Sequence, residues 1–253
     1  MTLTVAGEPL IAYLLASVRI VAWLAVVPPF SGRGVPPMAK VVLALGLAFA
    51  VVPNGQQIPA DALSLIINVV TQVLIGVAMG FVTHLLFAAV TAAGSLIDLF
   101  GGFALAAAFD PLSMNSITVF GKFHQMLATA LLFVSGGYLI VIGGLLKTFE
   151  FVPLGTSPDW SGFESVVLTA FGIFFTTAVQ IALPLIAVMF IADVGLALLT
   201  KVAPQLNAIN VMFPVKIGLT LLLVGLTFPV LPGALDRMVD LALQAMSTMS
   251  GGG

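Results

Sequence analysis

Gly94-Ser95-Leu96-Ile97-Asp98-Leu99-Phe100-Gly101-Gly102-Phe103-Ala104-Leu105-Ala106-Ala107-Ala108-Phe109 runs straight into Asp110-Pro111-Leu112-Ser113-Met114-Asn115, a polar break in an otherwise membrane-soluble chain. The apolar piece, residues 94 to 109, is 16 residues long and is interrupted by Asp98 and the Gly101-Gly102 pair. A spanning helix needs about 20 apolar residues, so this one reads as a segment that enters a protein interior and stops. Lipid offers no hydrogen bonds to freed N–H and C=O groups. Irregular backbone at membrane depth is therefore tolerated only where protein buries it or where it lines a water-filled cavity. A break of this kind points to an all-α membrane protein that encloses a conduit with something in it.

Composition agrees. Hydrophobic residues make up 60% and charged residues 7% of 253 residues, with a mean hydropathy of +1.23. No soluble chain of this length could cover so much apolar surface, which excludes soluble enzyme folds and leaves a polytopic integral membrane protein. A net charge of −2 with no run of Lys or Arg makes no electrostatic footprint for nucleic acid. The absence of cysteine removes disulfides, thiolate nucleophiles and Cys-based metal sites. Met1 to Pro9 holds Glu8 and lacks a basic n-region, so the first apolar segment is expected to remain in the mature protein. Ser250 to Gly253 is expected to be a flexible tail.

Pro, Gly and charge divide the chain into about six apolar helical segments, expected to pair as helical hairpins. They are Leu10 to Phe30, Met38 to Pro53, Leu63 to Thr91 with a continuation to Phe109, Met126 to Leu146, Ser165 to Thr200, and Val211 to Leu231. They are expected to form one membrane domain, residues 1 to 253, with no soluble insertion. Ser165 to Thr200 would be roughly 54 Å long as one helix, against a hydrocarbon core of roughly 30 Å. Pro184 near its middle predicts a kink or two stacked half-helices. Such uneven lengths suit a body built to pack within a larger helical assembly. Six crossings would put Arg33, Lys40, Lys122, Lys201 and Lys216 on one side and Lys147 and Arg237 on the other, which places both termini outside the cytoplasm. Past Pro232, Leu235, Met238, Val239, Ala242, Met246 and Met249 recur at helical spacing opposite Asp236, Asp240 and Gln244. That pattern predicts an amphipathic helix on a surface, either lipid or a neighbouring subunit.

Arg19, His84, Asp98 and Asp193 sit inside apolar runs. A buried ionisable group in a membrane segment is costly and must find a partner or water. His84 and Asp98, 14 residues apart, fall roughly on one helix face and raise a proton relay. Interhelical hydrogen bonds that fix register are the simpler reading and the one favoured here. His124, beside Lys122 in a polar turn, is expected to be solvated. Gly76 and Gly80 form a Gly-x-x-x-Gly pair, and Gly136, Gly137, Gly143 and Gly144 cluster; close packing between helices of this chain is preferred over a subunit contact. No Ser-His-Asp arrangement, phosphate loop or paired-His spacing gives catalysis a foothold.

Three stretches in order carry a resemblance: Arg19-Ile20 with Pro28-Pro29-Phe30 and Gly32-Arg33-Gly34-Val35-Pro36; Asp110-Pro111 through Lys122 with Leu127-Ala128 and Leu131-Leu132-Phe133; and Ala203-Pro204-Gln205-Leu206-Asn207 with Phe213-Pro214-Val215-Lys216-Ile217. Over nearly its whole length the chain resembles the FliR family, export-gate subunits of flagellar type III secretion, with SctT-type homologues in injectisomes. The resemblance implies a non-enzymatic subunit without a cofactor, with a FliP-like N-terminal part and a FliQ-like C-terminal part. It would join FliP and FliQ homologues in a channel for unfolded secreted proteins at the inner membrane, much of it on the periplasmic side, with FlhB and FlhA homologues as further partners.

It also implies a channel plug over roughly Gly102 to Asn115. There Phe103, Leu105, Phe109, Leu112 and Met114 would exclude water and ions by dewetting, and Asp110-Pro111 would set the turn. The chain departs from the family pattern at Asp193, where relatives carry a neutral Asn, and in the alanines at 104, 106, 107 and 108. A secondary transporter is the rival reading and would need related halves and ionisable groups converging at mid-membrane. No internal repeat supports it, and an intramembrane enzyme lacks any catalytic pairing.

Overall fold

The computed structural model describes residues 4–28, 30–32, 34–51, 61–103, 118–156, 163–203 and 208–249. Among them every regular element is helical: α1 (Thr4–Val26), α2 (Pro37–Val51), α3 (Ala62–Phe100), α4 (Val119–Val134), α5 (Gly137–Phe151), α6 (Phe163–Val202), α7 (Ala208–Leu223), a 3-10 turn (Val224–Thr227) and α8 (Val230–Met249).

The helix ends follow local chemistry. α1 stops ahead of Pro28, as the residue before proline is disfavoured in helical geometry. α2 begins on Pro37, whose missing N–H would have no partner in a first turn anyway. Before α3, Asp61 accepts the Ser64 N–H at 3.0 Å, which holds its carboxyl below the usual carboxylate range. That cap helps above the ordinary carboxylate pKa and is lost as acid protonates it.

Three expectations change. Met126 to Leu146 is not one segment: it divides into α4 and α5 at Gly136, whose φ of +74° is a left-handed conformation that glycine adopts without Cβ strain. Ser165 to Thr200 is not two stacked half-helices. α6 is one assigned helix of 40 residues that carries Pro184 inside it. The helix continues because proline removes only one donor, and the flanking turns remain bonded. In place of six crossings, three helices among the described residues are long and apolar enough to span, α1, α3 and α6, or up to five if α4 with α5 and α7 with α8 each count as one bent span. α2, at 15 residues, is too short to cross unaided.

The chain folds as two compact units that interleave along the sequence. In the first (1–86, 135–171 and 238–253), α1 and α2 pack along each other, tied by the Tyr13 hydroxyl donating to the Leu45 carbonyl at 2.9 Å. The start of α3 lies on α1 through Gly76 and Gly80. A Cβ at Gly76 would strike the Arg19 carbonyl and sit 2.9 Å from Ala22 Cβ; one at Gly80 would sit 3.0 Å from Val26 Cβ. The Gly-x-x-x-Gly pair is thus an intramolecular groove for α1. Gly144 on α5 likewise admits Leu243 and Met246 of α8. The apolar face of α8, with Met238, Val239, Ala242 and Met246 buried, is covered by this chain itself. The expectation that it lies on lipid or a neighbour is corrected accordingly; Asp236, Asp240 and Gln244 form its exposed face.

The second unit (87–134 and 172–237) builds its core from Val90, Ala93 and Ile97 of α3, Phe120 and Leu132 of α4, Ile181, Leu185 and Met189 of α6, and Leu231 and Leu235 of α8.

These contacts set a paired expectation. Gly76→Ala should destabilise the chain by about 2 kcal/mol, because backbone rather than a flexible side chain stands in the way. Gly143→Ala, with nothing within 4 Å of the added Cβ, should be neutral or stabilise by up to about 1 kcal/mol through helix propensity. Thermal unfolding of the detergent-solubilised protein, followed by tryptophan fluorescence, measures the difference.

Candidate functional site

Of the expected plug residues, Leu105, Phe109, Asp110, Pro111, Leu112 and Met114 lie outside the described residues. Phe103 is described. It is half-buried at the root of the connection between α3 and α4, its ring edge-on to Phe120 with centroids 5.1 Å apart. Around it, the end of α3 and the start of α4 are joined at close range within the second unit.

The joint starts from an unmet need of the backbone. The first N–H groups of any helix lack intrahelical partners, and those of α4 are answered from α3. Asp98, 1% exposed, accepts the Phe120 N–H at 2.8 Å and the Gly121 N–H at 3.2 Å through Oδ2. A carboxylate there also meets the positive end of the α4 dipole, which makes its burial tolerable without a cation. Its Oδ1 is buried with no hydrogen-bond partner among the described residues.

One turn earlier, Ser95 Oγ lies 3.1 Å from Thr118 Oγ1. Gly94 is what allows the approach, since a Cβ there would collide with the backbone of Phe120 and Gly121. Gly121 returns the favour: its Cβ would meet Thr118 Oγ1 at 2.7 Å and Ser95 Oγ at 3.1 Å. Beyond the helix, Gly101 is pressed against Thr220 of α7, and Gly102 takes a φ of +85°.

His124 corrects an expectation. It is fully buried rather than solvated, its Nδ1 2.9 Å from the Phe120 carbonyl and its Nε2 3.0 Å from Thr227 Oγ1 in the 3-10 turn. Its neighbour Lys122 does face outward, bonding Gln125 at 3.2 Å, so the polar turn is wet on one side only.

The other ionisable residues serve separate joints. Arg19, 0% exposed in the first unit, donates Nε–H to Gln72 Oε1 at 2.7 Å and Nη2–H to the Val152 carbonyl at 2.9 Å. Its Nη1 reaches toward the Thr148 carbonyl at 3.4 Å, and its guanidinium sits 4.1 Å over the Phe149 ring. It is bonded to no carboxylate; the carbonyls at the end of α5 and an aromatic face stabilise the charge instead. His84 is exposed and bonds the Val26 carbonyl at 3.0 Å, closing the end of α1. Asp193 finds Lys216 of α7, Oδ1 to Nζ 2.7 Å. His84 and Asp98, though on one helix, bond different partners among the described residues. No group of His, Cys, Asp or Glu among the described residues could hold a metal ion.

A sequence profile described as "Bacterial export proteins, family 1" matches residues 10–242. The chain belongs to that family. Among its relatives are the flagellar biosynthetic protein FliR of Escherichia coli K12, 34% identical over 191 residues covering 75% of this chain and 73% of the relative, and FliR of Pectobacterium carotovorum, 31% identical over 85% of this chain and 83% of the relative. The Yop proteins translocation protein T of Yersinia pestis is 27% identical over 79% of each. The charge at Asp193 is answered within the chain by Lys216.

The joints differ in burial, so they should differ in cost. Arg19→Leu strands the Val152 carbonyl and Gln72 Oε1 in a dry interior and should destabilise by about 3 kcal/mol. Asp193→Asn breaks an ion pair whose carboxylate is 37% exposed and should cost about 1 kcal/mol or less. Melting temperatures of the purified variants rank the two.

Proposed function

We propose that the chain is a non-enzymatic subunit of the flagellar type III protein export gate, packed with FliP and FliQ homologues into a plugged channel that passes unfolded flagellar proteins across the bacterial inner membrane. FlhB and FlhA homologues are further partners of the assembly. The chain is a FliP-like N-terminal part continued by a FliQ-like C-terminal part, with much of the assembly and both termini on the periplasmic side. No nucleic acid, metal or cofactor takes part.

One observation carries this reading beyond the family match. α6 has 40 residues, about 60 Å of helix, and only 22% of its spanning stretch is buried within the chain, against 67% for α3. Phe175, Val179, Leu183, Phe190, Val194 and Leu198 recur on one exposed side, and Leu168 extends the stripe to about 45 Å. A hydrocarbon core of about 30 Å cannot cover it. Helices of neighbouring subunits can.

Gating in this reading is passive. In it a plug over roughly Gly102 to Asn115 occupies the channel and excludes water by dewetting, and arriving polypeptide, driven by other components, biases it outward. Flagellar membership is preferred over an SctT-type injectisome subunit because the two FliR relatives at 31% and 34% exceed the translocation protein at 27%.

Affinity purification in mild detergent should retain FliP and FliQ homologues with the tagged chain; a well-behaved lone chain that transports a small solute in liposomes would overturn the reading in favour of a transporter. Deleting Leu105 through Met114 should leave the complex assembled and the cells leaky to small ions, whereas unchanged permeability with normal assembly would reject the plug. Alkaline phosphatase fused at either terminus should be active, which reports the periplasmic side.

A further inference from the structure

We propose that Nε2 of His124 is a proton-binding site: gain or loss of one proton there redirects the Thr227 hydroxyl between two acceptors at the bend that joins α7 to α8. The inference goes beyond the export-gate reading and does not depend on it.

A count of donors and acceptors leads to the site. Nδ1 of His124 lies 2.9 Å from the Phe120 carbonyl, which can only accept, so Nδ1 carries a hydrogen in every state. On the other side of the ring, Nε2 lies 3.0 Å from Thr227 Oγ1, and that same oxygen lies 2.7 Å from the Val224 carbonyl. A hydroxyl has one hydrogen. With Nε2 bare, Thr227 donates to the ring or to Val224, and one of the two contacts is left without a hydrogen. With Nε2 protonated, the imidazolium donates to Phe120 and to Thr227 Oγ1, and Thr227 turns its own hydrogen to Val224. Only the protonated ring fills all three contacts. The added proton comes from water and stays on Nε2; the Thr227 hydrogen stays on its oxygen and only the hydroxyl rotates.

A cation in a dry interior needs a counter-charge. Asp98 on α3 supplies it: it is 1% exposed, acts electrostatically on His124, and keeps Oδ1 without a hydrogen-bond partner among the described residues. The two are joined through one residue. Asp98 Oδ2 accepts the Phe120 N–H, and His124 Nδ1 donates to the Phe120 carbonyl. The other described charges of the second unit are paired or exposed: Lys122 of α4 bonds Gln125, Asp193 of α6 holds Lys216 of α7, and Lys201 of α6 and Asp236 and Arg237 of α8 are exposed. Phe123 stands edge-on to the imidazole at 5.7 Å and meets Phe228, just past the 3-10 turn, at 6.0 Å, so ring and bend are held together in either state.

The chain has two histidines, His84 and His124. The full chain in lipid nanodiscs, isotope-labelled at the histidine ring nitrogens, therefore gives two sets of magnetic-resonance signals, and His84→Gln shows which set belongs to His124. Between about pH 8 and about pH 4.5, Nδ1 should remain protonated while Nε2 passes from bare to protonated. The Val224 carbonyl-carbon signal should shift with the same midpoint, which a histidine that only packs would not cause. Thr227→Val removes the acceptor and should move the midpoint down by about one pH unit, and Thr227→Ser should restore it. Asp98→Asn keeps an oxygen for the α4 N–H groups but removes the charge, and should lower the midpoint by about one unit or more.

A His124 that keeps one protonation state throughout the range, or that carries its neutral hydrogen on Nε2, overturns the proposal. So does a Val224 carbonyl signal that ignores the titration, a reading made on the native chain and independent of whether any variant folds.

Discussion

A hydrocarbon medium gives a polar group nothing to bind, and the structure is organised around meeting that demand from within. Asp98 shows the solution in its most economical form. Its carboxylate requires donors, the first turn of α4 requires acceptors, and each satisfies the other at 2.8 and 3.2 Å without an ion pair. Arg19 is the mirror image, a buried cation met by carbonyls at the end of α5 and by the face of Phe149. In both, a helix terminus takes the place of a counter-ion. Helix ends carry partial charges of fixed direction, and in each joint that direction is opposite to the charge of the buried side chain.

Glycine is the second device. Where Gly76 and Gly80 face α1, and Gly94 faces α4, the absence of a Cβ brings backbone to backbone and lets dispersion and short polar contacts operate at full strength. The polar joints and the glycine contacts occur together: Asp98 reaches Phe120 because Gly94, four residues earlier on the same helix, lets α4 come close. Charge and closeness are thus one structural decision. They fix the end of α3 against the start of α4.

Against these packed regions stands α6, whose exposed aromatic and aliphatic stripe is longer than the hydrocarbon core of a bilayer is thick. That open apolar face is the surface which the proposed assembly would cover. The family relation to export apparatus proteins gives that assembly a setting. Asp193, bonded to Lys216, keeps the chain from presenting an isolated charge near that open face.

Composition and hydropathy were sufficient for an all-helical membrane chain, because burying 60% hydrophobic residues leaves no soluble alternative. Motif order was sufficient for the family. The Gly-x-x-x-Gly groove was legible too, since small residues at helical spacing have few other uses in a membrane helix. Partners were not legible: Asp98 lies 22 residues from Phe120, Asp193 lies 23 from Lys216, and Arg19 lies 133 from Val152. Nothing in local spacing encodes which distant helix end will arrive beside a charge. His124 reads as a wet turn beside Lys122, yet tertiary packing turned it inward onto Thr227. The break at Gly136 and the continuity of α6 through Pro184 were likewise not readable from the Gly and Pro positions alone. Sequence determined what each segment needed, a low-dielectric environment, a partner or a close neighbour; only the folded chain decided who supplied it, because hydrogen bonds and steric fit act in space and not along the chain.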